Sequence, residues 1–165
     1  MKRTVEVLNE LERAGVFARY AIGGAMAATF YAEPLLTFDL DVFVLLTPSP
    51  AGLITLTPIY DALRVRGYAE ESECVSIEGV PVQFLPAYNE LLEEALREAA
   101  ETDYDGTPTR VLGPEHLVAI CVQTGRDKDR ERVRLLREQT SLDHGLLDAV
   151  LCRYDLIGRW NTWTP

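Results

Sequence analysis

Arg19-Tyr20-Ala21-Ile22-Gly23-Gly24-Ala25 and Thr37-Phe38-Asp39-Leu40-Asp41-Val42-Phe43-Val44 decide how this chain is read, with fourteen residues between Gly24 and Asp39. Arg19 to Ile22 reads as a short strand and Ala25 to Ala32 as the start of a helix. A strand, a glycine pair and a helix start together aim free N–H groups and a positive helix end at whatever occupies the turn. In the second stretch, side chains alternate with a period of two, so Asp39 and Asp41 share one side. Phe38, Leu40 and Val42 are expected on the other. Two carboxylates roughly 7 Å apart on an apolar strand repel each other and lose hydration. A divalent cation between them removes both costs. The competing reading is an exposed strand end with two solvated aspartates.

The rest of the composition narrows the classes. At 165 residues the chain is long enough for one domain with a core that needs no staples. We expect a single unit over 1–165, with a sheet-containing core over 1–112 and C-terminal helices over 113–165. A net charge of −10 argues against broad binding to a nucleic-acid backbone, which needs clustered Lys and Arg. Cys74, Cys121 and Cys152 are widely spaced and lack a Cys-x-x-Cys pair, so they read as buried free thiols of a reducing compartment. His116 and His144 sit in no nucleophile or zinc motif and read as structural. Met1-Lys2-Arg3 is followed by acidic residues instead of an apolar leader. No run approaches the roughly 18 apolar residues of a membrane span. The expected location is cytoplasmic.

Apolar spacing predicts a helix over Thr4 to Ala14, stopped by Gly15. Leu36 to Leu46 is the most strand-like stretch, closed by Pro48 and Pro50. A helix centred on Ile59 to Arg66 follows. Ser72 to Ile77 and Val80 to Leu85 flank Glu78-Gly79 as a β-hairpin. Tyr88 to Glu101 is an acidic amphipathic helix, Asp103 to Thr109 a turn-rich loop, and Arg110 to Leu112 a short edge strand. Pro114 suits the first position of a helix running from Glu115 to Thr124. Further helices are expected over Asp127 to Gln139 and Leu142 to Ile157. Only the passage through Gly23-Gly24 looks like a crossover between parallel strands. The class is α+β: a small mixed sheet with flanking helices and a helical C-terminal portion.

Gly-Gly, a helix and then Asp-x-Asp on a strand resembles the nucleotidyltransferase superfamily. Leu117-Val118-Ala119-Ile120 leading to Thr124-Gly125-Arg126-Asp127-Lys128-Asp129 is similar to a Gly-Arg-x-Lys-Asp signature of its small bacterial and archaeal members. Those members include toxins of abortive-infection (AbiE-type) toxin–antitoxin systems. The tail from Arg153 to Trp160 has the same look, so the resemblance spans roughly Tyr20 to Trp160. It implies that Gly23 and Gly24 cradle nucleotide phosphates through backbone N–H groups and that Asp39 and Asp41 hold Mg²⁺. It also implies a phosphate-side hydroxyl on Thr37 and a charge clamp from Arg126 and Lys128. The competing reading of those two cations is a solvated helix face laced with ion pairs.

The chain departs from the family pattern in three places. The strand expected to carry a third carboxylate holds Gln83, an amide that cannot accept a proton as a base. Glu73 or Glu78 substitutes only if the hairpin register differs. Leu35-Leu36 stand where a basic residue often precedes Asp-x-Asp, and Cys121 where a lysine is expected. Three functions follow. The first is Mg²⁺-dependent transfer of a nucleoside monophosphate from a nucleoside triphosphate to a hydroxyl of RNA, protein or a small molecule, as a possible toxin with a cognate antitoxin. The second is a weakly active or inactive nucleotide-binding or partner-regulated module. The third is an unrelated α+β protein.

Overall fold

The structure, a computed structural model, describes residues 1–34, 36–47 and 55–163. The expected strand stop at Pro48 and Pro50 and the segment opening at Gly52 lie outside the described residues. Val5, Leu8 and Leu11 recur at helical spacing, and α1 (Lys2–Arg13) buries all three on one stripe. The chain then forms β1 (Arg19–Ile22), α2 (Gly24–Ala28), β2 (Leu40–Leu45), α3 (Thr57–Val65), β3 (Glu70–Glu71), β4 (Cys74–Ile77) and β5 (Val80–Pro86). Next come α4 (Glu90–Arg97), β6 (Ala100–Tyr104) and β7 (Thr107–Val111). Four helices close the chain: α5 (Pro114–Thr124), α6 (Asp127–Gln139), α7 (His144–Arg153) and α8 (Ile157–Trp163). The strands make one mixed sheet in the order β3-β4-β5-β2-β1-β7-β6. This is the expected α+β architecture.

Several elements differ from expectation, each for a physical reason. β1 pairs with β2 antiparallel, not parallel. The parallel neighbours are β2–β5 and β1–β7. A parallel return needs a crossover that carries the chain back along the strand; here β2 runs back beside β1 instead, with a helix of only five residues in the connection. Asp103 to Thr109 is not a loop but the heart of a hairpin. Asp105 and Gly106 take φ of 54° and 81°, the two positive angles of a type I′ turn. β6 carries no strand signal in the sequence because this edge strand, bearing Glu101 and Asp103, shows no apolar alternation. The Leu142 to Ile157 helix is two helices, broken where Asp155 takes a φ of 55°. Cys121 is buried, but Cys152 is exposed and Cys74 only half-buried. β2 starts at Leu40, so Asp39 precedes the strand, and Phe38 is exposed instead of joining Leu40 and Val42 in the core.

Register sorts the central strands into two faces. Leu40 and Val42 stand beside Val82 and Phe84 and are buried. Asp41 and Phe43 stand beside Gln83 and Leu85 on the opposite face. One buried carboxylate ties the helices above that second face. Glu94 of α4 accepts hydrogen bonds from His116 of α5 (3.2 Å), from Arg153 of α7, and from Tyr154 just beyond it (2.7 Å). His116 is thus structural, as expected from the sequence. Burial alone would raise the Glu94 carboxyl, but the bonds from Tyr154, Arg153 and His116 outweigh it and hold the group down at about 2.

A depressed folded-state pKa stabilises the fold above the unfolded value of about 4.5 and loses that contribution as pH falls toward 2. In urea titrations, Glu94→Gln should therefore be clearly less stable than the wild type at pH 6. The gap should narrow steadily between pH 4.5 and 2.5. A gap independent of pH would contradict this role.

Candidate functional site

The glycine pair acts first through what it lacks. Gly24 takes a φ of 60°, and a Cβ there would collide with the Asp41 carboxylate, Oδ2 nearest. A Cβ on Gly23 would run into the Phe43 ring. The Gly23 N–H donates to the Asp41 carbonyl oxygen at 2.9 Å. That amide is spent on the sheet, so Gly23 contributes close approach instead of an anion donor. The amides of Gly24, Ala25 and Met26 open α2 and have no intrahelical acceptor.

Asp39 and Asp41 both line a cleft of about 680 Å³ with Gly24. Thr37 lines it too, and its Oγ1 lies 3.1 Å from both Asp39 Oδ1 and the Asp39 carbonyl oxygen. The hydroxyl thus braces Asp39 from the preceding turn. Burial raises the Asp41 carboxyl above its ordinary range, and the Asp39 carboxylate raises it further. Arg132, Lys128 and Arg126 pull it back, so all three cations act on the same carboxylate.

Those cations come from α6 and the turn before it. Asp129 is fully buried and organises the two arginines among them. Its carboxylate accepts from Arg126 Nε at 2.7 Å, Arg126 Nη2 at 3.1 Å and the Arg126 backbone N–H at 3.2 Å. It also accepts from Arg132 Nη1 at 3.4 Å. Arg132 is 8% exposed, reaches Cys121 Sγ at 3.8 Å, and keeps a buried Nε with no partner. A guanidinium in that state is poised for an anionic oxygen entering the cleft. Lys128 is exposed along the same wall.

The sequence singled out Arg126 and Lys128 but missed Asp129 and Arg132. The spacing Arg126-x-x-Asp129-x-x-Arg132 was the available signal, since residues three apart share a helix face. Where the family pattern expects a lysine, Cys121 is buried and its thiol pushed up to about 11 by that burial.

Gln83 stands in register with Asp41 across the β2–β5 pair and lines the cleft. Its Nε2 donates to Glu73 Oε2 at 3.3 Å. A carboxylate only accepts, so the amide nitrogen must face Glu73, which leaves Gln83 Oε1 as an oxygen donor for the cleft. Glu73 is therefore one side chain removed from the acid pair. Glu78 sits in the hairpin turn and bonds Tyr68 instead.

The described residues gather no cluster of three or more His, Cys, Asp or Glu fit to hold a metal. The cleft does offer two carboxylates and an amide oxygen, all hard donors. Mg²⁺ is commonly held by one or two carboxylates plus substrate phosphates and water. The donor set fits that ion.

No protein-family model matches the sequence, and no curated protein matches it. Solved structures do. An antigenic nucleotidyltransferase-like protein from Paracoccidioides brasiliensis superposes with a TM-score of 0.57 at 13% identity, over 96% of this chain and 90% of that one. ANT(2")-Ia in complex with adenylyl-2"-tobramycin gives 0.53 at 16% identity, over 94% and 98%. A solution structure of the same resistance factor gives 0.51 at 16% identity, over 98% and 96%. This chain has the nucleotidyltransferase-like fold.

Gly15 provides a control for Gly24. It also takes a positive φ, 73°, but a Cβ there meets nothing within 4 Å. Gly15→Ala should cost roughly 1 kcal/mol, the left-handed strain alone, in chemical denaturation. Gly24→Ala should cost clearly more because it also displaces Asp41; equal losses would contradict the packing described.

Proposed function

We propose that this protein is a divalent-metal-dependent nucleotidyltransferase that moves a nucleoside monophosphate from a nucleoside triphosphate to a hydroxyl acceptor. One observation carries the reading. Asp39 and Asp41 share a cleft floor against Gly24, while Arg126, Lys128 and Arg132 bear on the same spot from the facing helix. Acids alone would suit a cation and bases alone an anion; a metal–polyphosphate complex needs both.

Asp39 and Asp41 would hold the metal, with Gln83 Oε1 available as a neutral oxygen ligand. Bound there, Mg²⁺ would neutralise charge developing on the phosphates. The chain's own residues do the rest. The amides opening α2 and the Arg126, Lys128 and Arg132 side chains orient the triphosphate. The acceptor oxygen bonds to the α-phosphorus, the α–β bridging P–O bond breaks, and pyrophosphate leaves toward the three cations. The hydroxyl proton passes to water, because Gln83 cannot take it. Positioning and electrostatic stabilisation therefore supply most of the acceleration.

Gln83 favours a second reading, a module that binds nucleotide with little turnover. Loss of a general base costs on the order of 10²–10⁴ in rate. The acceptor hydroxyl belongs to RNA, protein or a small molecule. A cognate antitoxin partner follows from the Gly125-to-Asp129 resemblance to abortive-infection toxins. No helix among the described residues is long and apolar enough to cross a membrane.

At saturating concentrations, at least one nucleoside triphosphate with Mg²⁺ should raise the melting temperature by several degrees. The Asp39→Ala/Asp41→Ala double variant should show no shift. Gln83→Asp should increase pyrophosphate release at least about tenfold by restoring a proton acceptor. Absence of any shift in the wild type with all four triphosphates would refute the nucleotide reading. A shift without pyrophosphate release, even in Gln83→Asp, would favour the inactive module.

A further inference from the structure

The cleft continues past the acid pair into an apolar half lined by Leu85, Leu92, Leu117 and Ile120. Phe38 and Tyr88 also line the cleft, yet they are 83% and 75% exposed. Two aromatic rings left in water beside an apolar slot suit a planar ring that would cover them. One polar group in this half has its orientation fixed. The Leu92 backbone N–H donates to Asn89 Oδ1 at 2.9 Å, capping α4. Only oxygen accepts there, so Asn89 presents its Nδ2 on the other side. Asn89 Nδ2 donates to Gln123 Oε1 at 2.9 Å. Gln123 lines the cleft, and its Nε2 has no acceptor among the described residues.

The backbone of Gln123 is held as firmly as its amide. Arg159 Nη1 donates to the carbonyl oxygens of Val122 and Gln123 at 2.9 and 2.7 Å. Glu94 joins α4 to α5 through His116, so Asn89 and Gln123 ride on helices tied to each other. A backbone amide thus dictates, through two side chains, that the cleft meets an N–H donor and not an acceptor.

Resting on the nucleotidyltransferase reading above, we infer that Gln123 selects the nucleobase. Its N–H donates to a keto oxygen at pyrimidine C4 or purine C6 and finds no acceptor in an amino group there. UTP is therefore preferred over CTP, and GTP over ATP. A donor facing a donor leaves both groups unpaired in a desolvated slot.

Calorimetric titration of the whole protein with each of the four triphosphates and Mg²⁺ tests this. The wild type should bind the keto member of each pair about tenfold more tightly or better. Gln123→Glu should reverse both rankings. So should Asn89→Asp, which leaves Gln123 untouched. Aspartate caps a helix as well as asparagine does, so α4 should persist. It accepts where asparagine donated, which turns the Gln123 amide over and presents Oε1 to the cleft. A merely structural Asn89 would change all four affinities alike. Affinities within about twofold of one another in the wild type, or unaltered rankings in both variants, overturn the inference. If binding still depends on Asp39 and Asp41 in that case, the nucleotidyltransferase reading survives. If no triphosphate binds the wild type, both fall.

Discussion

Asp41 rests against a residue that has no side chain, and the cleft is built around that contact. The glycine pair becomes its neighbour only in the folded state, where β1 and β2 run antiparallel and the Gly23 N–H bonds the Asp41 carbonyl. Any Cβ at Gly24 would evict the carboxylate. The half-buried acid that results is uncomfortable, because desolvation and Asp39 both oppose its charge. Three cations across the cleft ease that discomfort without touching it. The site is thus left with unspent charge of both signs, which a metal-bound polyphosphate would neutralise.

Two buried carboxylates do different work around this contact. Asp129 gathers Arg126 and Arg132 at the start of α6, so the cations reach the cleft as a preset array instead of free surface chains. Glu94 fixes the helices that form the apolar wall. Neither belongs to the acid pair. Both would spare a ligand in the cleft the entropy of ordering the groups that meet it.

The glycine pair and the acid pair were legible because their chemistry is local. Arg19–Ile22 formed the expected strand, and Asp39, Asp41, Arg126 and Lys128 came to line one cleft. Strand order was less legible. The antiparallel return through Gly23-Gly24 goes with a short α2, and helix length is poorly fixed in a nearly all-apolar run such as Ala25 to Ala32. The β6–β7 hairpin carried its Asp105-Gly106 turn in plain view, yet the exposed edge strand lacked the alternation that announces a strand. Least legible were the contacts between distant residues. Asn89 and Gln123 are 34 positions apart, and nothing in either segment marks one amide as the partner of the other. Arg132 reads as a surface charge until packing buries it.

The central claim is that the paired acids hold a divalent ion together with a triphosphate. Mn²⁺ can stand in for Mg²⁺, and the free-ion electron paramagnetic resonance signal reports its capture. In the wild type, a triphosphate should sharply increase Mn²⁺ capture beyond what triphosphate alone sequesters, and Asp41→Asn should abolish that excess. Equal capture by the wild type and Asp41→Asn, at every triphosphate concentration, would contradict the account.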